Sequence, residues 1–178
     1  LMKTKTIYLR VDVDFNLGLK KGVPFLLDLF SEKNICGTFF VVMGPDTLYR
    51  HTSRVGKKGY KKRLASFNWL KLLYYVGFAY LRSRFLRPAV GPDAPEVLKQ
   101  IIDKGHELGI HGYNHAEWSD RCFEFDRDET ERQIDQAVDQ FKTLFPNRDW
   151  IWGAPNWKLN THMLNHLEKS GVSYSSDL

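Results

Sequence analysis

The stretch TIYLRVDV (6–13), followed at once by Asp14, decides how the chain is read. It alternates in the manner of a β-strand. Ile7, Leu9, Val11 and Val13 share one face; Tyr8, Arg10, Asp12 and Asp14 share the other, because successive side chains point to opposite sides. Two carboxylates therefore leave one face at the strand's C-terminal end, ~6–7 Å apart at one strand repeat. That spacing suits one metal ligand and one base better than two ligands to one ion. In α/β barrels the C-terminal strand ends are where chemistry sits.

Outward from this strand, helix and strand patterns alternate. VPFLLDLFSEKN (23–34) reads as a helix and ICGTFFVVM (35–43) as a strand. Asp93 and Pro95 open a helix that Gly105 ends, and HELGI (106–110) is a short strand. Residues 127–145 form an amphipathic helix stopped by Pro146. DWIWG (149–153) reads as a strand, Asn160 caps a helix ending near Gly171, and VSYSS (172–176) is a last strand. Five strands between helices predict a parallel α/β sheet or barrel. At 178 residues the chain is one domain, with no internal repeat. Cys36 and Cys122 give no disulfide framework; both are expected to be small buried apolar groups in a reducing compartment. No apolar stretch of the kind a signal peptide carries is visible near residue 2.

HGYNH (111–115) follows the predicted strand 106–110. Histidines four apart in a helical turn lie on one face and reach one ion. One carboxylate and two imidazoles, with positions left for water and substrate, make a hydrolytic metal site. A second such pair, His162 and His166, lies inside a predicted helix with no carboxylate at a matching strand end. It reads as helix surface. His106 has no partner that the sequence names.

RVDVD, GTFF, HELGIHGYNH, WGAPNW and YSSD, in this order and over nearly the whole chain, resemble the polysaccharide deacetylase superfamily with its NodB homology domain. GVPFLLDLF, GPDTLYRH (44–51) and YSSD are most similar to the branch that deformylates 4-deoxy-4-formamido-arabinose on undecaprenyl phosphate, in lipid A modification. The resemblance implies a distorted, incomplete (β/α) barrel, with a basic, apolar insertion at 47–92 after the second strand. It implies that Asp14, His111 and His115 hold one divalent ion, zinc by the ligand set, with Asp12 as general base. Asp177 matches a position that helps orient the site, and His51, Trp157 and Lys158 are expected to bind substrate. The enzyme would be cytoplasmic, peripheral on the inner face of the bacterial inner membrane.

Two departures from the family stand out. Its usual arginine beside the base falls at Gly153, and Lys158 just downstream is the candidate to replace it. Its leucine-x-histidine motif, the general acid, would fall beyond Leu178, so the domain is expected to be C-terminally incomplete. A glycan N-deacetylase and a catalytically silent lipid-binding module therefore stay beside the deformylase as alternatives.

Charge separates the chain into two parts. Residues 47–92 hold eleven Lys or Arg and no Asp or Glu. The whole chain is +5, so the remainder is mildly acidic at −6. WLKLLYYVGFAYL (69–81) is apolar but shorter than the ~20 residues of a membrane span, with basic runs KKGYKKR and RSRFLR on either side. That composition suits the surface of an anionic membrane. A buried core helix is the next reading, and nucleic acid the least favoured, because the apolar run is too continuous for an open stacking platform.

Overall fold

The computed structural model describes residues 7–51 and 69–177, with the backbone alone for 51 and 69–75. Three parallel strands form the sheet in the order β1 (Arg10–Val13), β2 (Thr38–Val41), β3 (Glu107–Ile110). Two further rungs continue it without a regular strand: Trp152 bridges Ile110, and Ser175 bridges Trp152, both parallel. The sheet is open and does not close into a barrel.

The five predicted strands are thus present in order, but the last two shrink to single bridges. The cause lies in the backbone donors. Gly153 N–H still reaches Ile110 O at 2.9 Å, whereas the next N–H, Ala154, donates to the Asp177 carboxylate at 2.6 Å. Pro155 then has no N–H to offer. The ladder stops where the chain turns into the short 3₁₀ turn Pro155–Trp157.

One face of the sheet is the core. Val13, Phe39, Val41, Leu108 and Ile110 are buried there. The core is closed by α1 (Val23–Lys33), α4 (Pro95–Asp103), α6 (Arg127–Leu144) and α7 (Thr161–Lys169). The helices start and stop as their sequences direct. Asp126 and Asn160 cap α6 and α7, accepting from Glu129 N–H at 2.9 Å and Met163 N–H at 2.8 Å. Asn34 ends α1 in the left-handed conformation (φ 52°).

The opposite face carries Arg10 and Asp12 from β1, Phe40 from β2 and Gly109 from β3. Phe40 is fully buried between two glycines; a Cβ at Gly109 would fall 2.6 Å from its ring and one at Gly153 2.8 Å. The ring fills the space over Gly109 and shares the space over Gly153 with Arg10, whose Nη2 would lie 2.9 Å from a Cβ there.

Among the described residues, the α-helices α2 (Leu48–His51), α3 (Trp69–Phe85) and α5 (His115–Arg121) lie outside the predicted set. Asp46 joins α2 to the β1 end. Its carboxylate accepts from Leu48 N–H at 2.9 Å and Asn16 N–H at 3.1 Å, and burial pushes its pKa upward against those two bonds. Arg82 of α3 and Lys20 share Asp93 at 2.7 and 2.8 Å. Cys122 is buried as expected, while Cys36 is exposed, because it lies in the connection before β2 rather than inside the strand.

Candidate metal centre

Asp14 sits one residue past β1, His111 one residue past β3, and His115 opens α5. Their ligand atoms lie within 4.8 Å of one another. His111 Nε2 and His115 Nε2 are each 3.4 Å from Asp14 Oδ1. Both histidines are buried, and Asp14 is partly open, so the cluster faces outward through the carboxylate.

The two histidines do not share a helical turn, contrary to the spacing argument. Gly112 adopts φ 77°, which turns the chain out of β3. Asn114 then caps α5, accepting from Glu117 N–H at 3.2 Å. The imidazoles meet because a strand end and a helix start converge, with ring centroids 5.3 Å apart.

The tautomer of His111 follows from its other nitrogen. Nδ1 lies 2.6 Å from Gly153 O. A carbonyl only accepts, so Nδ1 is the protonated nitrogen in the neutral ring, and Nε2 is the nitrogen aimed at Asp14. The donor set of one carboxylate and two imidazoles therefore fits a divalent ion.

Asp12 stands beside this cluster, with Oδ2 3.8 Å from His111 Nε2. Its Oδ1 accepts from Arg10 Nε at 2.7 Å. Arg10 also donates to Asp177 Oδ1 at 2.9 Å. Asp177 is completely enclosed, and its Oδ2 takes Ala154 N–H and Ser175 Oγ. Among the described residues, Asp177 is linked to Asp12 through Arg10. Burial works against the Arg10 charge, but the hydrogen bonds to Asp12 and Asp177 outweigh it and hold the guanidinium more firmly protonated than usual.

Trp157 is 59% exposed and lies over Arg10, 3.9 Å from ring centroid to guanidinium carbon. Lys158 points elsewhere. Its amine donates to Ser119 O and lies 5.5 Å from the Phe123 ring. The cation beside Asp12 is Arg10, not Lys158, because Trp118 Nε1–H holds Lys158 O at 3.0 Å and the lysine side chain extends along α5. His51 ends α2, and its side chain lies outside the described residues, as does most of the basic run. Of the rival pair, His166 lies on α7 with Nε2 2.7 Å from Asp135 Oδ1 and Nδ1 3.7 Å from Glu131 Oε1. His106 is a core residue, accepting Gly37 N–H at 3.2 Å and stacked edge-on against Phe30 and Phe39.

Sequence reading missed Arg10. The signal was available, since the alternation places it on the face of Asp12, but a charged residue early in a strand reads as an ordinary solvated position.

The polysaccharide deacetylase family model matches residues 2–175. The chain belongs to this family. It is 28% identical over 169 residues to a protein of Shewanella sediminis named as a probable 4-deoxy-4-formamido-L-arabinose-phosphoundecaprenol deformylase, ArnD, covering 95% of this chain and 55% of that one. It is also 28% identical over 165 residues to a Wigglesworthia glossinidia brevipalpis protein of the same name, covering 90% and 56%. The chain thus spans about half the length of these curated relatives. Among solved structures, BA3943, a CE4 family pseudoenzyme from Bacillus anthracis, superposes with a TM-score of 0.59 at 12% identity, covering 97% of this chain and 43% of that one. At that identity the likeness concerns the fold alone.

Proposed function

We propose that this chain carries the hydrolytic centre of a metal-dependent deformylase. Its substrate would be a formamido-arabinose on an undecaprenyl phosphate carrier, in lipid A modification. The observation that carries the reading is the convergence of Asp14, His111 and His115 beside Asp12, in a chain similar to proteins named for that reaction. Asp14, His111 and His115 would hold one divalent ion, zinc by the ligand set. When bound, the ion supplies Lewis acidity to a water molecule and to the amide carbonyl. Asp12 takes the water's proton through Oδ2 as attack begins. Gly153 O keeps His111 in the tautomer that presents Nε2. Trp157 offers an exposed aromatic face to the sugar, and His51 is retained as a substrate contact.

The lipid carrier is matched by α3. Phe78, Leu81 and Phe85 are 69%, 53% and 76% exposed, at helical positions i, i+3 and i+7 on one face. Within 76–85 only Ser83 is buried, which argues against a core helix. No described helix is long and apolar enough to cross a membrane. The exposed apolar face of α3 supports an interfacial position for 47–92 on an anionic leaflet, and the cytoplasmic side belongs to the same proposal. The test is acyl release by the full-length protein from the lipid-linked formamido sugar and from N-acetylated glycan oligomers. Formate from the first and no acetate from the second is expected. Acetate alone would make it a glycan deacetylase, and neither product, with lipid still bound, a silent module.

A further inference from the structure

We propose that Arg10 is the positioning residue for Asp12: its guanidinium, delivered from β1, occupies the place a side chain at 153 would fill, and locks Asp12 to Asp177. This rests on the reading of Asp12 as base.

Three observations independent of that reading define the arrangement. The first is the hydrogen bonding of the fork. Nε donates to Asp12 Oδ1 at 2.7 Å, Nη1 to Asp177 Oδ1 at 2.9 Å and Ser176 Oγ at 2.5 Å, and Nη2 to Ala154 O at 3.4 Å. The guanidinium thus spans the open sheet from its first strand to its last rung. The second is the stacking. The plane lies between Phe40 and Trp157, with its carbon 4.7 and 3.9 Å from the two ring centroids. Trp157 is held there by two successive left-handed residues, Asn156 (φ 54°) and Trp157 itself (φ 56°), a conformation that persists only where the surroundings impose it. The third is the vacancy at Gly153. A Cβ there would lie 2.9 Å from Arg10 Nη2 and 2.8 Å from the Phe40 ring. A side chain at 153 and this arginine therefore exclude each other.

The consequence is directional. With Oδ1 of Asp12 fixed by Arg10, Oδ2 is the oxygen left facing the histidine cluster, 3.8 Å from His111 Nε2. A lysine cannot substitute, because a point charge makes neither the fork nor the stack.

In the full-length protein, Arg10→Lys and Arg10→Ala should lower kcat about 10²-fold on 4-deoxy-4-formamido-arabinose-phosphoundecaprenol, the size expected for a misplaced group. KM and metal content should change little. Millimolar guanidinium should restore part of kcat to Arg10→Ala, and methylammonium should not. Gly153→Ala should reproduce the kcat loss with Arg10 intact. In the metal-free protein the Arg10 Nε–H resonance should exchange slowly, and should lose that protection in Asp12→Asn. This last measurement decides even if Arg10→Ala fails to fold. Wild-type kcat in Arg10→Lys, or an Nε–H indifferent to Asp12→Asn, overturns the proposal. A dead Asp12→Asn beside an unimpaired Arg10→Lys sinks Arg10 alone; an active Asp12→Asn sinks the base reading.

Discussion

Two arginines meet carboxylates here under opposite conditions. Arg10 has 14% of its side chain exposed and is matched to Asp12 and to a fully enclosed Asp177. Arg82, about a third exposed, shares an equally exposed Asp93 with Lys20. The more enclosed cation is held by carboxylates on two sides and by rings on both faces. The exposed one ties α3 to Asp93 ahead of α4, which Lys20 from the turn after β1 shares, with solvent competing for each contact. Burial, not the presence of an ion pair, separates an arrangement that can organise a site from one that only tethers a helix.

If the buried region is the chemical one, the largest effects belong there. Asp14→Asn and His111→Ala should abolish stoichiometric metal and all measurable turnover, as read by elemental analysis and product release. His166→Ala should leave both unchanged, and metal loss in that variant would move the centre to the other histidine pair. Asp12→Asn should keep the metal and lose about 10²–10⁴-fold in turnover, the usual range for a general base. If its metal is lost as well, both carboxylates are ligands and the comparison must be redrawn.

The exposed region should answer to a different measurement. Replacing Phe78, Leu81 and Phe85 by serine should weaken flotation with anionic vesicles by up to about 1.5–3 kcal/mol per side chain, with metal content intact. Equal flotation by wild type and variant would return α3 to an ordinary surface helix. Arg82→Ala should cost no more than about 1 kcal/mol of stability in urea unfolding, given how open the pair is.

The smallest effect concerns His106, away from both regions. Burial first, and the Lys104 charge second, hold its pKa below the ordinary 6.5. The native state therefore prefers the neutral ring. Its contribution is fully present above about pH 6.5 and is lost as pH falls through the lower native value, because the unfolded chain protonates first. His106→Gln keeps an acceptor for Gly37 N–H and should flatten that acid limb in urea midpoints between about pH 7 and pH 5. An unchanged slope would mean that another group titrates there.

The sequence by itself determined the order of strands and helices and the identity of the cluster. Alternation in 6–13 put Asp12 and Asp14 on one face, and HGYNH after a strand end supplied the histidines. These are local facts, fixed by strand period and by strong capping residues such as Asp126 and Asn160. Tertiary structure decided the rest. It cut the last two strands to single bridges, because Asp177 captures the Ala154 N–H that a ladder would use. It separated His111 and His115 onto a strand end and a helix start through the left-handed Gly112. It also moved the cation beside Asp12 from the expected Lys158 to Arg10, 148 positions earlier in the chain. No local pattern carries that exchange, since it depends on an empty Cβ position on one strand facing a long side chain from another, and only the folded sheet brings the two together.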